Sequence, residues 1–333
     1  MSNLTSAYPS GVTEAAAELP PPGARTRKPN HATLGYSMAV AGALLFSVNG
    51  SVSKVALSSG IDSLSLVLLR CAGAMACLLV LVLLVERRRL QVSRSEWPLL
   101  LVYGVIGVAL VQWFYFVAIA RLPVGLALLL EFTAPVLVAL WARFVQHQDL
   151  GRGLWLALAL SLSGLALVAQ VWHGMSLDAV GVAAGLGAAV SLATYYLAGK
   201  RAVTGRDTLS LATWAFVVAT IFWTVAHPWW SVPWSTMGTS VSLQGSLNHF
   251  SVPVWWLVGW IVVMGTVAPF LLVIGALRHL HATQAGIVGM VEPVMAGVVA
   301  WLWLGEALAG AQIVGAAVVL LGIFVAQRAT DVG

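Results

Sequence analysis

The chain has 333 residues, 60% of them hydrophobic and 9% charged, with a mean hydropathy of +0.92. A soluble domain carries roughly a quarter charged residues, so this chain cannot cover a water-facing surface; a soluble enzyme and a disordered scaffold are both excluded. A transmembrane β-barrel is excluded as well, because barrel strands alternate apolar and polar residues over ~10-residue segments, whereas this sequence stays apolar for ~20 residues at a time, enough for a helix to cross a ~30 Å hydrocarbon core.

The first segment, residues 1–33, is polar, contains Pro20-Pro21-Pro22, and reads as a disordered cytoplasmic tail. No apolar core follows the first residues, so a cleaved signal peptide is not expected. Ten spans are predicted next: Leu34–Leu57, Ser63–Leu84, Pro98–Ala120, Val124–Phe144, Gly153–Val171, Ala179–Ala198, Leu209–Trp229, Val254–Ala276, Ala282–Leu304 and Leu308–Ala326. Residues 328–333 form a short C-terminus. Trp97, Trp155, Trp172, Trp229, Trp230 and Trp255 fall at span ends, where amphipathic rings favour the headgroup zone. The connection from Pro228 to Pro253 is long, rich in tryptophan and free of Asp, Glu, Lys and Arg. It lies on the membrane surface or caps an outer vestibule.

The net charge of +5 has a topological source and gives no reason to expect nucleic acid. With the N-terminus inside, the cytoplasmic segments hold Arg25, Arg27, Lys28, Arg87, Arg88, Arg89, Arg94, Arg143, Arg152, Lys200, Arg201, Arg206, Arg278 and Arg328, while the outer loops hold Arg121. The positive-inside rule then puts both termini in the cytoplasm. Cys71 and Cys77 share one span and make neither a disulfide framework nor a four-ligand zinc site.

An internal repeat is legible. Asp62-Ser-Leu-Ser-Leu66 opens span two and Asp207-Thr-Leu-Ser-Leu211 opens span seven; Lys54 ends span one as Lys200 ends span six. Pro135-Val136 matches Pro293-Val294, and Ala118-Ile119-Ala120-Arg121-Leu122 parallels Ala276-Leu277-Arg278-His279-Leu280. Each half, 34–171 and 178–327, holds five spans. Because five is odd, the second copy enters the membrane from the opposite side. The fold class expected is an all-α integral membrane protein of ten transmembrane helices in two inverted five-helix repeats, an arrangement suited to alternating access.

At these residues the sequence resembles EamA-type proteins of the drug/metabolite transporter superfamily, over about residues 34 to 327. The pieces that carry the likeness are Pro123-Val-Gly-Leu-Ala-Leu-Leu-Leu-Glu131-Phe-Thr-Ala-Pro135 and Glu292-Pro293 followed by Leu304-Gly305-Glu306. The Glu-Phe-Thr-Ala-Pro stretch is most similar to threonine/homoserine exporters of that family. The resemblance implies export of a small metabolite across a bacterial inner membrane. In one departure, the acidic residue that often ends span four is replaced here by Gln148, with Asp149 beside it.

Charged groups near the bilayer centre cost ~3 kcal/mol on insertion scales, so those present are functional candidates. They are Arg70, Glu131 and Glu292, with Lys54 near an outer end. Arg70 and Glu131 both lie roughly 11–12 Å below the outer surface, at ~1.5 Å per residue. They could pair if their spans adjoin, either to contact a zwitterion's carboxylate and ammonium or as a static pair locking two helices. Glu292 sits near the midplane, and the repeat gives it no basic mate, since Ala215 matches Arg70. A lone buried carboxylate suits proton exchange; the alternative is a neutral acid bonded to a carbonyl beside Pro293. Asn49, Ser53, Ser47, Ser51, Gln112, Tyr115, Tyr195, Tyr196, Trp214 and Trp223 are neutral candidates for a cavity lining, though each alone is equally a helix–helix contact. From these, the expected substrate path comprises Asn49, Arg70, Gln112, Tyr115, Glu131, Tyr195, Trp214 and Glu292, with Glu292 the proton-coupling candidate. Pro135, Pro269 and Pro293 interrupt the backbone ladder and are hinge candidates. Gly181 and Gly185 make a small-residue face on span six.

No histidine falls clearly within a span, and no Gly-x-x-x-x-Gly-Lys-Ser/Thr loop is present, so neither a metal site nor another cofactor is expected. The expected partners are a small-molecule substrate, the lipid bilayer and protons. Other cargoes remain open: a drug-like cation, a sugar derivative or a nucleotide conjugate. An intramembrane lipid-modifying enzyme is the reading of a different class, but it should gather acid, base and nucleophile at one membrane face, and the polar residues here are scattered.

Overall fold

The computed structural model describes residues 31–85, 90–119, 121, 124–168, 178–305 and 309–331. Most of the expected tail, the basic run Arg87–Arg89, Trp172 and Glu306 lie outside the described residues. The chain is helical almost throughout: α1 (His31–Leu57), α2 (Ser63–Val85), α3 (Trp97–Leu101), a π-helical segment Val102–Leu110, α4 (Val111–Ile119), α5 (Val124–Glu131), α6 (Ala134–Phe144) and α7 (Arg152–Val168) in the first half. The second half holds α8 (Ala179–Gly205), α9 (Thr208–Ala226), a hairpin of β1 (Ser240–Ser242) and β2 (Ser251–Pro253), α10 (Val254–Val262), a π-helical segment Val263–Val267, α11 (Ala268–Ala276), α12 (Ala282–Gly289), α13 (Val291–Leu304) and α14 (Gly310–Asp331).

Among the described residues, eight helical stretches are long and apolar enough to cross a bilayer, and two further apolar helices, Arg152–Leu167 and Gly310–Ala326, are shorter. The shorter pair pack along each other as α7 and α14. α14 continues past the expected end at Ala326 to Asp331.

Exchanging the two halves maps the packing onto itself. α1 packs on α11 and α13, as α8 packs on α4 and on α5 and α6; α2 lies along α9, and α7 along α14. The Asp-x-Leu-Ser-Leu repeat is the clearest local cause. Asp62 accepts from the Ser65 amide at 2.9 Å, and Asp207 accepts from the Ser210 amide at 3.1 Å. Each carboxylate therefore satisfies an orphan donor in the first turn of its helix. These two equivalent helices run antiparallel: the start of α2 meets His227 beyond the end of α9, while Arg206, just before α9, meets Gln91 and Glu96 beyond α2. The inversion expected from an odd number of spans per half is visible in that pair.

The spans expected at 124–144 and 282–304 are both broken. Phe132 and Thr133 separate α5 from α6, and Met290 separates α12 from α13. Pro135 and Pro293 follow the breaks by two and three residues. Proline has no amide hydrogen to donate four residues back, so the carbonyls of Glu131 and Gly289 lose that donor.

The long connection 228–253 is bonded to the helix ends beside it. Gln244 donates to Ser58 at 2.8 Å, Ser246 donates to the Trp303 carbonyl at 3.0 Å, and the Trp303 indole donates to the Leu243 carbonyl at 3.0 Å. The hairpin thus sits across the ends of α1 and α13. Its turn needs Gly245, which has φ +49° and backs onto the Trp303 carbonyl so closely that a Cβ there would overlap it. These bonds tie the connection to the ends of α1 and α13.

Candidate functional site

Where the halves meet, a cavity of about 170 Å³ opens among α1, α2, α4, α5, α8 and the broken α12–α13 pair. Seven residues of the expected substrate path line it: Asn49, Arg70, Gln112, Tyr115, Glu131, Tyr195 and Glu292. Tyr196 lines it too. Trp214 does not. Its indole donates to the Leu90 carbonyl at 3.2 Å, and its ring packs edge-on against Trp97 at 5.1 Å. It belongs to the end of the helix pair rather than to the cavity.

The charged groups meet different partners from those expected. Arg70 does not pair with Glu131, because their helices are not chief neighbours. α2 packs on α9, α10 and the Val263–Val267 segment, whereas α5 packs on α8, α4 and α7. Among the described residues, no ion pair joins Arg70 to either carboxylate within 4.0 Å. Arg70 instead donates through Nε to Thr266 Oγ1 at 2.7 Å and from a terminal nitrogen to the Gly265 carbonyl at 3.3 Å. Pro269, four residues on, has no amide hydrogen to donate back to position 265. Thr266 in turn donates to the Ile261 carbonyl at 2.8 Å, five residues back, which fits the π-helical spacing there.

Across the cavity, the carboxylate within electrostatic range of Arg70 is Glu292. The residue expected to lack a basic mate therefore has one at a distance. Glu131 and Glu292 also lie within electrostatic range of each other, and the Tyr115 and Tyr196 hydroxyls share that field. Glu292 is thus within range both of a guanidinium already oriented by Thr266 and Gly265 and of a second carboxylate, Glu131. Ser47 stitches α1 to this region by donating to the Glu292 backbone carbonyl at 2.9 Å.

Aromatic walls close the remainder: Phe46, Phe132 and Phe270 line the cavity, and Phe270 packs edge-on against both Phe46 at 5.4 Å and Tyr195 at 5.8 Å. None of these phenylalanines was singled out by the sequence, since an apolar ring in an apolar span carries no distinguishing signal. The π-helical segments were missed as well. Pro269, a hinge candidate from sequence, directly follows the π-helical segment whose Gly265 carbonyl accepts from Arg70. Gly185 does pack as a small face should, against Leu130 of α5.

Comparison with known proteins agrees with this architecture. The family model described as the EamA-like transporter family matches residues 33–170 and again 179–327. The threonine/homoserine exporter RhtA of Salmonella typhimurium strain LT2 is 29% identical over 238 residues, 71% of this chain and 72% of its own. RhtA of Escherichia coli K12 is 29% identical over 240 residues, and the uncharacterized transporter YwfM of Bacillus subtilis is 24% identical over 243 residues, 73% of this chain and 77% of its own. A solved crystal structure superposes with a TM-score of 0.72 over 90% of this chain and 99% of its own, at 19% identity, a likeness that speaks to the fold alone.

Proposed function

The chain belongs to the EamA-like transporter family, and on that footing we propose that it exports a small zwitterionic amino acid, of the size of threonine or homoserine, by proton-coupled alternating access. It is a multi-pass membrane protein. In this reading it spans a bacterial inner membrane ten times, with α7 and α14 as spans five and ten and both termini in the cytoplasm. Repeats 34–171 and 178–327 rock about the cavity, bending at the interruptions near Pro135, Pro269 and Pro293.

The observation that carries the reading is the cavity's charge pattern. The oriented guanidinium of Arg70 suits a carboxylate, and Glu131 and Glu292 suit an ammonium. A second carboxylate beyond what one ammonium needs leaves a group to take up the exchanged proton; Glu292, across from Arg70, is our candidate. The volume of about 170 Å³ lies below the ~300–1,000 Å³ of pockets for drug-sized ligands, which disfavours a nucleotide conjugate. The surplus of carboxylate over cation gives one competing reading weight, a small cationic amine without a carboxylate.

The test is transport by the full chain in liposomes carrying an internal pH dye. Threonine flux should move protons in the opposite direction. Glu292→Gln should abolish the proton signal, and Arg70→Gln should raise the concentration of threonine needed for half-maximal flux by tenfold or more while sparing amines that lack a carboxylate. Threonine flux with no proton movement, or an unchanged proton signal in Glu292→Gln, would remove the coupling assignment. Flux of simple amines but of no amino acid would replace the zwitterion with the cation.

A further inference from the structure

Beyond the three charged groups, the cavity contains one neutral acceptor whose direction the structure fixes. Gln112 is 8% exposed, sits on α4 immediately after the π-helical segment, and lines the cavity. Its amide nitrogen donates to the Val108 carbonyl at 2.9 Å and approaches Cys71 Sγ at 3.8 Å. A flipped amide would set two oxygens against each other at the Val108 position, so the nitrogen must face Val108 and Oε1 must be the other end. Oε1 is buried and has no hydrogen-bond partner among the described residues. Orphaned buried acceptors are costly and uncommon in folded proteins.

Asn49 Oδ1 is the other unpartnered carboxamide oxygen on the cavity wall, but it lies tight against Gly265, where a Cβ would overlap it. Its space is taken by backbone. The charged groups are matched by the two ends of a zwitterion. Gln112 Oε1 is therefore left for a third polar group of the cargo, one that donates and carries no charge.

We propose that Gln112 is the specificity-determining residue of this cavity, accepting a hydrogen bond from a hydroxyl on the cargo's side chain and so selecting hydroxylated amino acids over apolar ones of the same shape. The proposal rests on the amino-acid reading above. A site built around a buried acceptor rejects the isostere that lacks the donor, because the acceptor is then buried without a partner. Size alone gives no such discrimination, since threonine and valine differ only by hydroxyl for methyl.

The experiment is counterflow of radiolabelled threonine by the full-length protein in liposomes, with unlabelled threonine against valine and homoserine against 2-aminopentanoate as competing pairs. The wild type should favour the hydroxylated member of each pair by about tenfold to a hundredfold. Gln112→Met, which keeps length and loses the acceptor, should bring both ratios to within about threefold by weakening threonine binding more than valine binding. A merely structural role for Gln112 would instead lower the rates for threonine and valine together and keep their ratio, which overturns the proposal. Equal competition by valine and threonine in the wild type overturns it without any variant, so misfolding of Gln112→Met cannot shield it. A wild type that moves amines but no amino acid overturns the underlying reading, and that outcome is distinct from movement of amino acids without selectivity.

Discussion

The two ends of the α2–α9 pair start from the same five-residue pattern and finish with different chemistry. At one end Asp62 caps α2, and the Ser65 hydroxyl meets His227 Nε2 at 3.0 Å; His227 also lies 4.0 Å from Asp62, an ion pair while the imidazole is protonated. At the other end Asp207 caps α9, and the Ser210 hydroxyl accepts from Arg206 at 2.6 Å. Arg206 goes on to donate to the Gln91 carbonyl at 2.8 Å and to Glu96 at 2.9 Å. The cap is a backbone necessity and is kept in both copies. The partner beyond the serine answers to no such necessity and has diverged, into a single imidazole at one end and a guanidinium network at the other. If the two ends part in turn as the halves rock, the Arg206 end has more bonds to break.

The largest test of that contrast is Arg206→Met. The Arg206 side chain is 7% exposed and Glu96 is 34% exposed. Breaking a fully buried pair costs ~3–5 kcal/mol, so with one partner part-solvated we expect about 2–3 kcal/mol, read by denaturant-titrated unfolding in detergent. His227→Phe, which removes one neutral contact, should cost about 1 kcal/mol or less. Equal losses at the two ends would erase the asymmetry. The caps themselves should behave alike: Asp62→Ala and Asp207→Ala should each cost about 1 kcal/mol, whatever lies beyond the serine. A cap loss at Asp207 several times that at Asp62 would mean the network, and not the helix end, depends on the carboxylate.

The helix starts at Asp62 and Asp207 were legible as the openings of a repeated pentapeptide, because such a pattern is local; that the carboxylates cap them came from the structure. Eight of the span stretches and the polar residues of the cavity wall were legible for a similar reason, since a polar group in a 20-residue apolar run has few other uses. Arg70 shows where this stops. Its depth followed from counting residues, but its partner depended on which helices adjoin, and α2 turned out to lie against the Val263–Val267 segment and not α5. Trp214 failed likewise, because helix rotation decides whether a ring faces a cavity or a neighbouring tryptophan. The breaks at Phe132–Thr133 and Met290 and the π-helical segments depend on tertiary packing around prolines whose positions alone suggested only bends.

Acid should separate the two ends most finely. Hydrogen bonds from the Ser93 backbone and from Arg206, working against burial, hold the Glu96 carboxyl below its ordinary value of 4.5. Burial raises the Asp62 carboxyl, but the Ser65 side-chain and backbone bonds together with His227 outweigh it and hold it below 3.8. Each group binds its proton less readily in the folded chain, so its contribution to stability is complete above the ordinary value and fades as pH falls through the lowered one. The wild type minus Glu96→Gln difference in unfolding midpoint should therefore be flat from neutral pH to about 4.5 and shrink below it. The corresponding difference for Asp62→Asn should hold until pH is below 3.8. Both groups are partly solvated, so these effects should be the smallest of the series. A Glu96 difference that grew on acidification would reverse the sign, and the carboxylate could then no longer be counted as a stabilising member of the Arg206 network.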